Sequence, residues 1–320
     1  MAKPRLLITR PLPDPVIAAA EAFADVTTCP LNDHWRVDDC ALALIEYDAI
    51  LPTLGDTFSK ATFQAALDIK CRILANFGVG FNHIDTKEAA RRGVVVTNTP
   101  GAVTDATADI ALTLLLMTAR RAGEGERLVR SGNWNGWHPT QMLGQHVSGK
   151  TIGIVGMGRI GQAVAHRAHY GFGMDVVYFN RSKRKTTIPG ARQVADLKEL
   201  FAVSDFVSVN VPGGPENHHL IDAHVLAAAK PGLILVNTAR GDVIDEAALL
   251  SALEGGTIAG AGLDVYEHEP FVPTELRQRE DVVLLPHLGT NALEVRIEMG
   301  LMAVENLRAF FAGETPRNLV

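Results

Sequence analysis

Three side chains able to move a proton or grip a carboxylate each follow a short apolar run. Leu235-Val236 leads into Asn237-Thr238-Ala239-Arg240-Gly241, and Leu263 into Asp264-Val265-Tyr266-Glu267-His268-Glu269-Pro270. Leu284-Leu285 leads into Pro286-His287-Leu288-Gly289. In open α/β sheets ligands bind beyond the carboxyl ends of the strands, so Arg240, Glu269 and His287 are expected on one rim. The planar fork of Arg240 suits a carboxylate or the carbonyl beside it. An imidazole at His287 can give a proton to a developing alkoxide, and Glu269 would hold that ring and favour its protonated form. The trio suits hydride transfer to a 2-keto acid. Singly, each residue has a plainer reading as a surface ion pair, a loop acid or a packed histidine. Three on consecutive strand ends outweigh those readings.

Such chemistry needs a hydride source, and a second motif provides for one. Thr151-Ile152-Gly153-Ile154-Val155 runs into Gly156-Met157-Gly158-Arg159-Ile160-Gly161 and then into a helical pattern. The first glycine permits a tight turn, the second lets the backbone approach a pyrophosphate, and the third allows close helix–strand packing. The helix N-terminus favours the negative charge. The next strand ends about 20 residues on, where an NAD site carries Asp or Glu for the ribose hydroxyls. Here Asn180-Arg181-Ser182 stands there, followed by Lys183, Arg184 and Lys185. Arg181 and Ser182 can bind a 2′-phosphate that a carboxylate would repel. NADP(H) is the preferred cofactor, with NAD(H) possible.

The elements that must position these residues alternate between strand and helix patterns, as parallel α/β units do. Early strands are expected at Leu6–Thr9, Ala49–Pro52, Arg72–Ala75 and Val94–Thr97, with helices at Pro15–Ala24, Lys60–Leu67 and Thr104–Arg121. The second set comprises Thr151–Val155, Val176–Phe179, Phe206–Val209, Leu233–Val236, Ala261–Asp264 and Val282–Leu285. It is closed by a helix at about Ala292–Ala312. Gly132 to Gly149 reads as an irregular connection. The 320 residues carry 30 Lys and Arg against 36 Asp and Glu, a net charge of −6 that leaves no footprint for nucleic acid. Cys29, Cys40 and Cys71 form no CxxC pair and fit reduced thiols. The N-terminus lacks a signal-peptide core, and the apolar run Ile110–Ala119 falls short of the roughly 20 residues that span a bilayer. A cytoplasmic location is expected. His218-His219 has no further ligand at helical spacing, so no metal is assigned.

In order, these segments resemble the D-isomer-specific 2-hydroxyacid dehydrogenases, and within them the glyoxylate/hydroxypyruvate reductases. The likeness rests on Gly149 to Gly161, Asn237 to Gly241, Gly262-Leu263-Asp264-Val265, Glu269-Pro270 and Pro286-His287-Leu288-Gly289. It implies that Arg240, Glu269 and His287 are the catalytic set. It also implies that Asn76 to Asp85 is a substrate loop, in which the N–H groups of Val79 and Gly80 bind the substrate carboxylate beside an apolar wall at Leu54. Arg240 and His287 would touch the substrate too. Cofactor contacts are implied at Thr104, Gly156, Gly158, Arg159, Ile160, Gly161, Asn180, Arg181, Ser182, Pro212, Thr238, Ala239, Arg240, Asp264, His287 and Gly289. Trp134 and Trp137 match a segment that reaches towards a neighbouring subunit's pocket in the reductases; interface or core packing is the other reading. Position 292, often threonine in the family, is Ala here.

The resemblance implies two doubly wound parallel-sheet domains, a Rossmann cofactor domain of residues 100–289 inserted into a flavodoxin-like substrate domain of 1–99 and 290–320. It implies an active site in the cleft and a homodimer. NADPH-preferring reduction of glyoxylate or hydroxypyruvate to the D-hydroxy acid is the expected activity. Related formate dehydrogenases carry Gln where Glu269 stands, and phosphoglycerate dehydrogenases usually keep the acidic NAD residue. A dehydrogenase for another 2-hydroxy acid, or a dinucleotide-sensing corepressor-like scaffold, is the competing reading.

Overall fold

The computed structural model describes residues 2–30 and 35–320. The chain forms two compact units, Met1–Val103 with Thr290–Val320 and Thr104–Gly289. Residues 100–103 therefore go with the first unit rather than the second. The reason is local: residues 98–100 lie beyond β5 in neither helix nor strand, Gly101 has φ 105°, and the helix Thr104–Ala119 begins only beyond them.

The first unit is built on a parallel sheet of β1 (Arg5–Ile8), β2 (Asp25–Thr28), β3 (Ala49–Leu51), β4 (Ile73–Ala75) and β5 (Val95–Thr97). The strands lie in the order β2-β1-β3-β4-β5, the flavodoxin-like order. Central strands covered on both faces read as unbroken apolar runs, and Leu7, Ile50 and Leu74 fill one side of the core with Leu44, Phe58 and Phe63. β2 escapes sequence detection because it is an edge strand of half-exposed Asp-Val-Thr-Thr. The helix Leu293–Phe311 packs on β4 and on the helix Asp14–Glu21. Gly300 permits that approach, since a Cβ there would lie 2.4 Å from Val16 Cγ2. The chain's last residues join the sheet edge: Leu319 bridges Thr97, and the Val320 N–H donates to Val96 O at 3.1 Å.

The second unit contains β6 (Thr151–Val155), β7 (Asp175–Phe179), β8 (Arg192–Gln193), β9 (Phe206–Val209), β10 (Ile234–Asn237), β11 (Gly260–Leu263) and β12 (Val282–Leu284). Its order, β12-β11-β10-β9-β6-β7-β8, is parallel throughout. This is the Rossmann order with one strand added, and the winding reverses between β6 and β9. β8 has two residues and carries no apolar signal. One face of the sheet packs around Leu200, Phe201, Leu235 and Leu249, the other around Leu112, Leu115, Val164 and Met174. Residues 132–149 hold neither helix nor strand, and Trp134 and Trp137 are exposed, so neither packs in this chain's core. Among the described residues, no helix is long and apolar enough to cross a membrane.

Candidate active site

The glycine turn follows β6 directly. Gly156 has φ 92°, and its N–H donates to Phe179 O at 2.9 Å. A Cβ there would lie 2.8 Å from Val211 Cγ1, and one on Gly161 would lie 2.1 Å from Gly156 O, so both positions exclude side chains by contact. Gly158, the N-cap of the helix Arg159–Phe172, is different. A Cβ there would meet nothing within 4 Å. The turn is closed on the protein side and open at its middle glycine, the shape needed to admit a pyrophosphate. Arg159 is exposed at the helix start, while Ile160 packs against the core.

Asn180, at the end of β7, ties that strand to the turn. Its Oδ1 accepts the Met157 N–H at 3.2 Å, and its Nδ2 donates to Ser182 O at 2.9 Å and Ser182 Oγ at 3.3 Å. Arg181 to Lys185 are exposed. At the neighbouring strand ends, Asn210 Oδ1 and Thr238 Oγ1 are buried without a hydrogen-bond partner among the described residues. Buried polar atoms are normally paired, so two orphans beside an open glycine turn fit a polar ligand. The residues present thus fit a dinucleotide. Pro212 is exposed, Thr104 opens its helix, and Ala239 is buried with its N–H on Asn237 Oδ1 at 3.0 Å.

The proton-transfer residues come together at the ends of β11 and β12. Glu269 Oε2 lies 2.8 Å from His287 Nδ1, and Glu269 Oε1 accepts the Tyr266 N–H at 3.0 Å. With Nδ1 carrying the hydrogen of that bond, Nε2 is left to exchange a proton with substrate. His287 has φ 56°, rare for a residue with a Cβ. The fully buried Asp264 sets that turn: its two carboxylate oxygens accept the Leu288 N–H at 2.6 Å and the Gly289 N–H at 2.8 Å. Arg240 follows β10, its Nη1 donating to Ala239 O at 2.6 Å, and its backbone O accepts from Asn237 Nδ2 at 2.9 Å.

In the first unit, the loop after β4 is shaped by asparagines. Asn76 Nδ2 donates to Gly78 O and Gly80 O at 2.9 and 3.0 Å, and Asn98 Nδ2 to Val79 O at 2.9 Å. Among the described residues, the N–H groups of Val79 and Gly80 donate to nothing. The loop thus turns its acceptors inward and keeps two donors free, as an anion-binding loop must. Leu54 is half-exposed on a turn closed by buried Asp56, which accepts from Thr53 N–H at 2.7 Å and Thr9 Oγ1 at 2.6 Å.

Residues 112–289 match the family described as D-isomer specific 2-hydroxyacid dehydrogenase, NAD binding domain. A glyoxylate reductase of Thermococcus litoralis is 43% identical over 330 residues, covering 99% of this chain and 97% of that protein. The chain belongs to the D-isomer specific 2-hydroxyacid dehydrogenases. Within them it falls in the glyoxylate reductase branch. Two solved structures are similar over the whole chain. A Thermus thermophilus protein superposes with a TM-score of 0.89 at 39% identity, each chain covered to 99%. An NADPH-dependent glyoxylate/hydroxypyruvate reductase from Sinorhizobium meliloti, in complex with NADP and malonate, gives 0.87 at 34%, covering 100% of this chain and 97% of that one. The chain is an NAD(P)-dependent dehydrogenase.

Charge in this dehydrogenase is graded across the strand ends. Burial opposes ionisation of Glu269, but the His287 hydrogen bond and charge, the Tyr266 N–H and the Arg240 charge outweigh it. The carboxyl is held below its ordinary value. At Asp264 burial wins over the Leu288 and Gly289 N–H bonds and the His287 charge, and its carboxyl is pushed up. Loss of water pulls the Arg240 guanidinium below its usual value, with Glu269 and Asp242 acting against this. Arg240 stays cationic at any working pH all the same. The sequence reading did not single out Tyr266, Asn237 or Asn210. The only sequence signal for the two asparagines is a polar amide immediately after an apolar run, which is weak alone. Tyr266 acts through its backbone N–H and through an OH bond to Leu285 O at 2.8 Å, neither of which residue type foretells.

Proposed function

We propose that the chain reduces glyoxylate and hydroxypyruvate to the D-2-hydroxy acid with NADPH, His287 being the proton donor. The His287–Glu269 pair carries this reading, because it leaves one imidazole nitrogen free at a strand end beside a guanidinium. A bound nicotinamide dinucleotide supplies the hydride. Arg240 holds and polarises the keto acid, and Glu269 fixes the ring so that Nε2 faces the carbonyl oxygen. We assign dinucleotide binding to the unit Thr104–Gly289, and substrate binding to Leu54, Val79 and Gly80 of the first unit as well as to Arg240 and His287. The preference for NADPH is supported by the absence of a carboxylate at Asn180 and by exposed Arg181 and Ser182. The S. meliloti relative, solved with NADP, points the same way. A homodimer, in which exposed Trp134 and Trp137 meet the partner, completes the proposal.

The experiment is a keto-acid panel run with both cofactors. NADPH oxidation on adding glyoxylate or hydroxypyruvate is expected, with kcat/KM for NADPH above that for NADH. Equal values would remove the 2′-phosphate assignment. No turnover of any 2-keto acid, with a dinucleotide-dependent change of oligomeric state, would favour a scaffold instead.

A further inference from the structure

Outside the proton-transfer pair, and among the described residues, His218, His219 and Glu267 bring ligand atoms within 4.8 Å of one another. The sequence offers only the adjacent histidines. Glu267 lies 48 positions beyond His219, and the sheet order β11-β10-β9 brings the two segments side by side.

Each donor is held from its own side. His219 adopts φ 49°, and its N–H donates to Asp242 O at 2.8 Å. Buried Asn217, just before the histidines, ties the loop back through Nδ2 to Pro212 O at 2.9 Å. The Glu267 N–H donates to Glu246 Oε1 at 2.9 Å, which anchors the backbone under its carboxylate. His219 Nε2 then lies 2.8 Å from Glu267 Oε1. The His218 ring stacks on that of His219 with centroids 3.9 Å apart and 25° between planes. Imidazole lone pairs lie in the ring plane, so a shared ion draws the exposed His218 ring out of this stack to bring its nitrogen beside that of His219.

We propose that His218, His219 and Glu267 bind a divalent transition ion of the Zn²⁺ class, with a fourth position open to water. Two imidazoles and one carboxylate are the donor set that Zn²⁺ takes in three-ligand sites. They do not suit Mg²⁺ or Ca²⁺, which demand oxygen ligands. The bound ion fastens the loop after β9 to the turn Tyr266–Pro270. That turn carries Glu269, so occupancy stiffens the support of His287.

The test uses the untagged, metal-stripped full chain titrated with Co²⁺, whose visible absorption reports tetrahedral coordination. One Co²⁺ per chain is expected, displaced by Zn²⁺. His218→Ala leaves the His219–Glu267 pair intact, so it separates a metal site from an ion pair. It should lose the visible band and weaken Zn²⁺ binding by at least about tenfold, with the thermal unfolding of the metal-free protein unchanged. If that variant does not fold, Glu267→Gln serves, since it keeps the side-chain shape and removes the anionic donor. Absence of a Co²⁺ band in the parent chain, or an undiminished band in the folded variant, would overturn the proposal.

Discussion

His287 owes its position to its backbone as much as to its ring, since φ 56° turns the side chain back towards Glu269. Replacing it with alanine removes the proton donor and leaves the glycine turn untouched. His287→Ala should lower kcat by roughly 10²–10⁴-fold, the usual worth of a positioned acid, while fluorescence titration shows NADPH still bound through the glycine turn, with a far smaller change in affinity. Near-normal turnover would take His287 out of its role. Glu269 makes a pH prediction. Its carboxyl is depressed in the folded chain, so the pair contributes stability above the ordinary glutamate value of about 4.3 and loses it as pH falls below that. The difference in Tm between the parent chain and Glu269→Gln should therefore narrow as pH drops from 6 towards 3.5. A constant gap across that range would show the pair to be neutral.

Among the elements, two contacts decide whether the strand-end loops hold their shape. Asp264 at the end of β11 grips the turn after β12 through two N–H bonds. Bonds of that charged kind contribute about 1.5–3 kcal/mol each. Burying the carboxylate offsets part of that gain, so Asp264→Ala should destabilise by about 2–4 kcal/mol and cut kcat by roughly 10²-fold through displacement of His287, as urea unfolding and steady-state rates would report. Gly241, beside Arg240, abuts the next loop: a Cβ there would lie 1.8 Å from Tyr266 C. Gly241→Ala should destabilise by about 3 kcal/mol, measurable as a lowered urea midpoint; a tolerated alanine would mean the two loops are free to part. The strands bearing these loops were legible because burial on both faces makes them continuous apolar runs, and residues at their ends could be named by adjacency. β2 and β8 were not, being half-exposed or two residues long. Nor was the grip of Asp264, which pairs with residues 24 and 25 positions away and depends on which strands become neighbours.

For the molecule as a whole, the contrast between a continuous and a discontinuous unit matters most. Thr104–Gly289 is one stretch with its own sheet and core. Expressed alone, it should unfold cooperatively and bind NADPH by calorimetry; an insoluble or non-binding fragment would show that it depends on the rest of the chain. The first unit is in a different situation. Its helix Leu293–Phe311 and the tail that pairs with Thr97 and Val96 are made after the second unit. On the ribosome, then, residues 1–103 wait without the helix that packs on β4 and on Asp14–Glu21 while nearly two hundred later residues are translated. The second unit holds its whole sheet in one stretch, while the first lacks until the end the helix that covers β4 and the tail that pairs with β5, an opening for aggregation in a half-made chain.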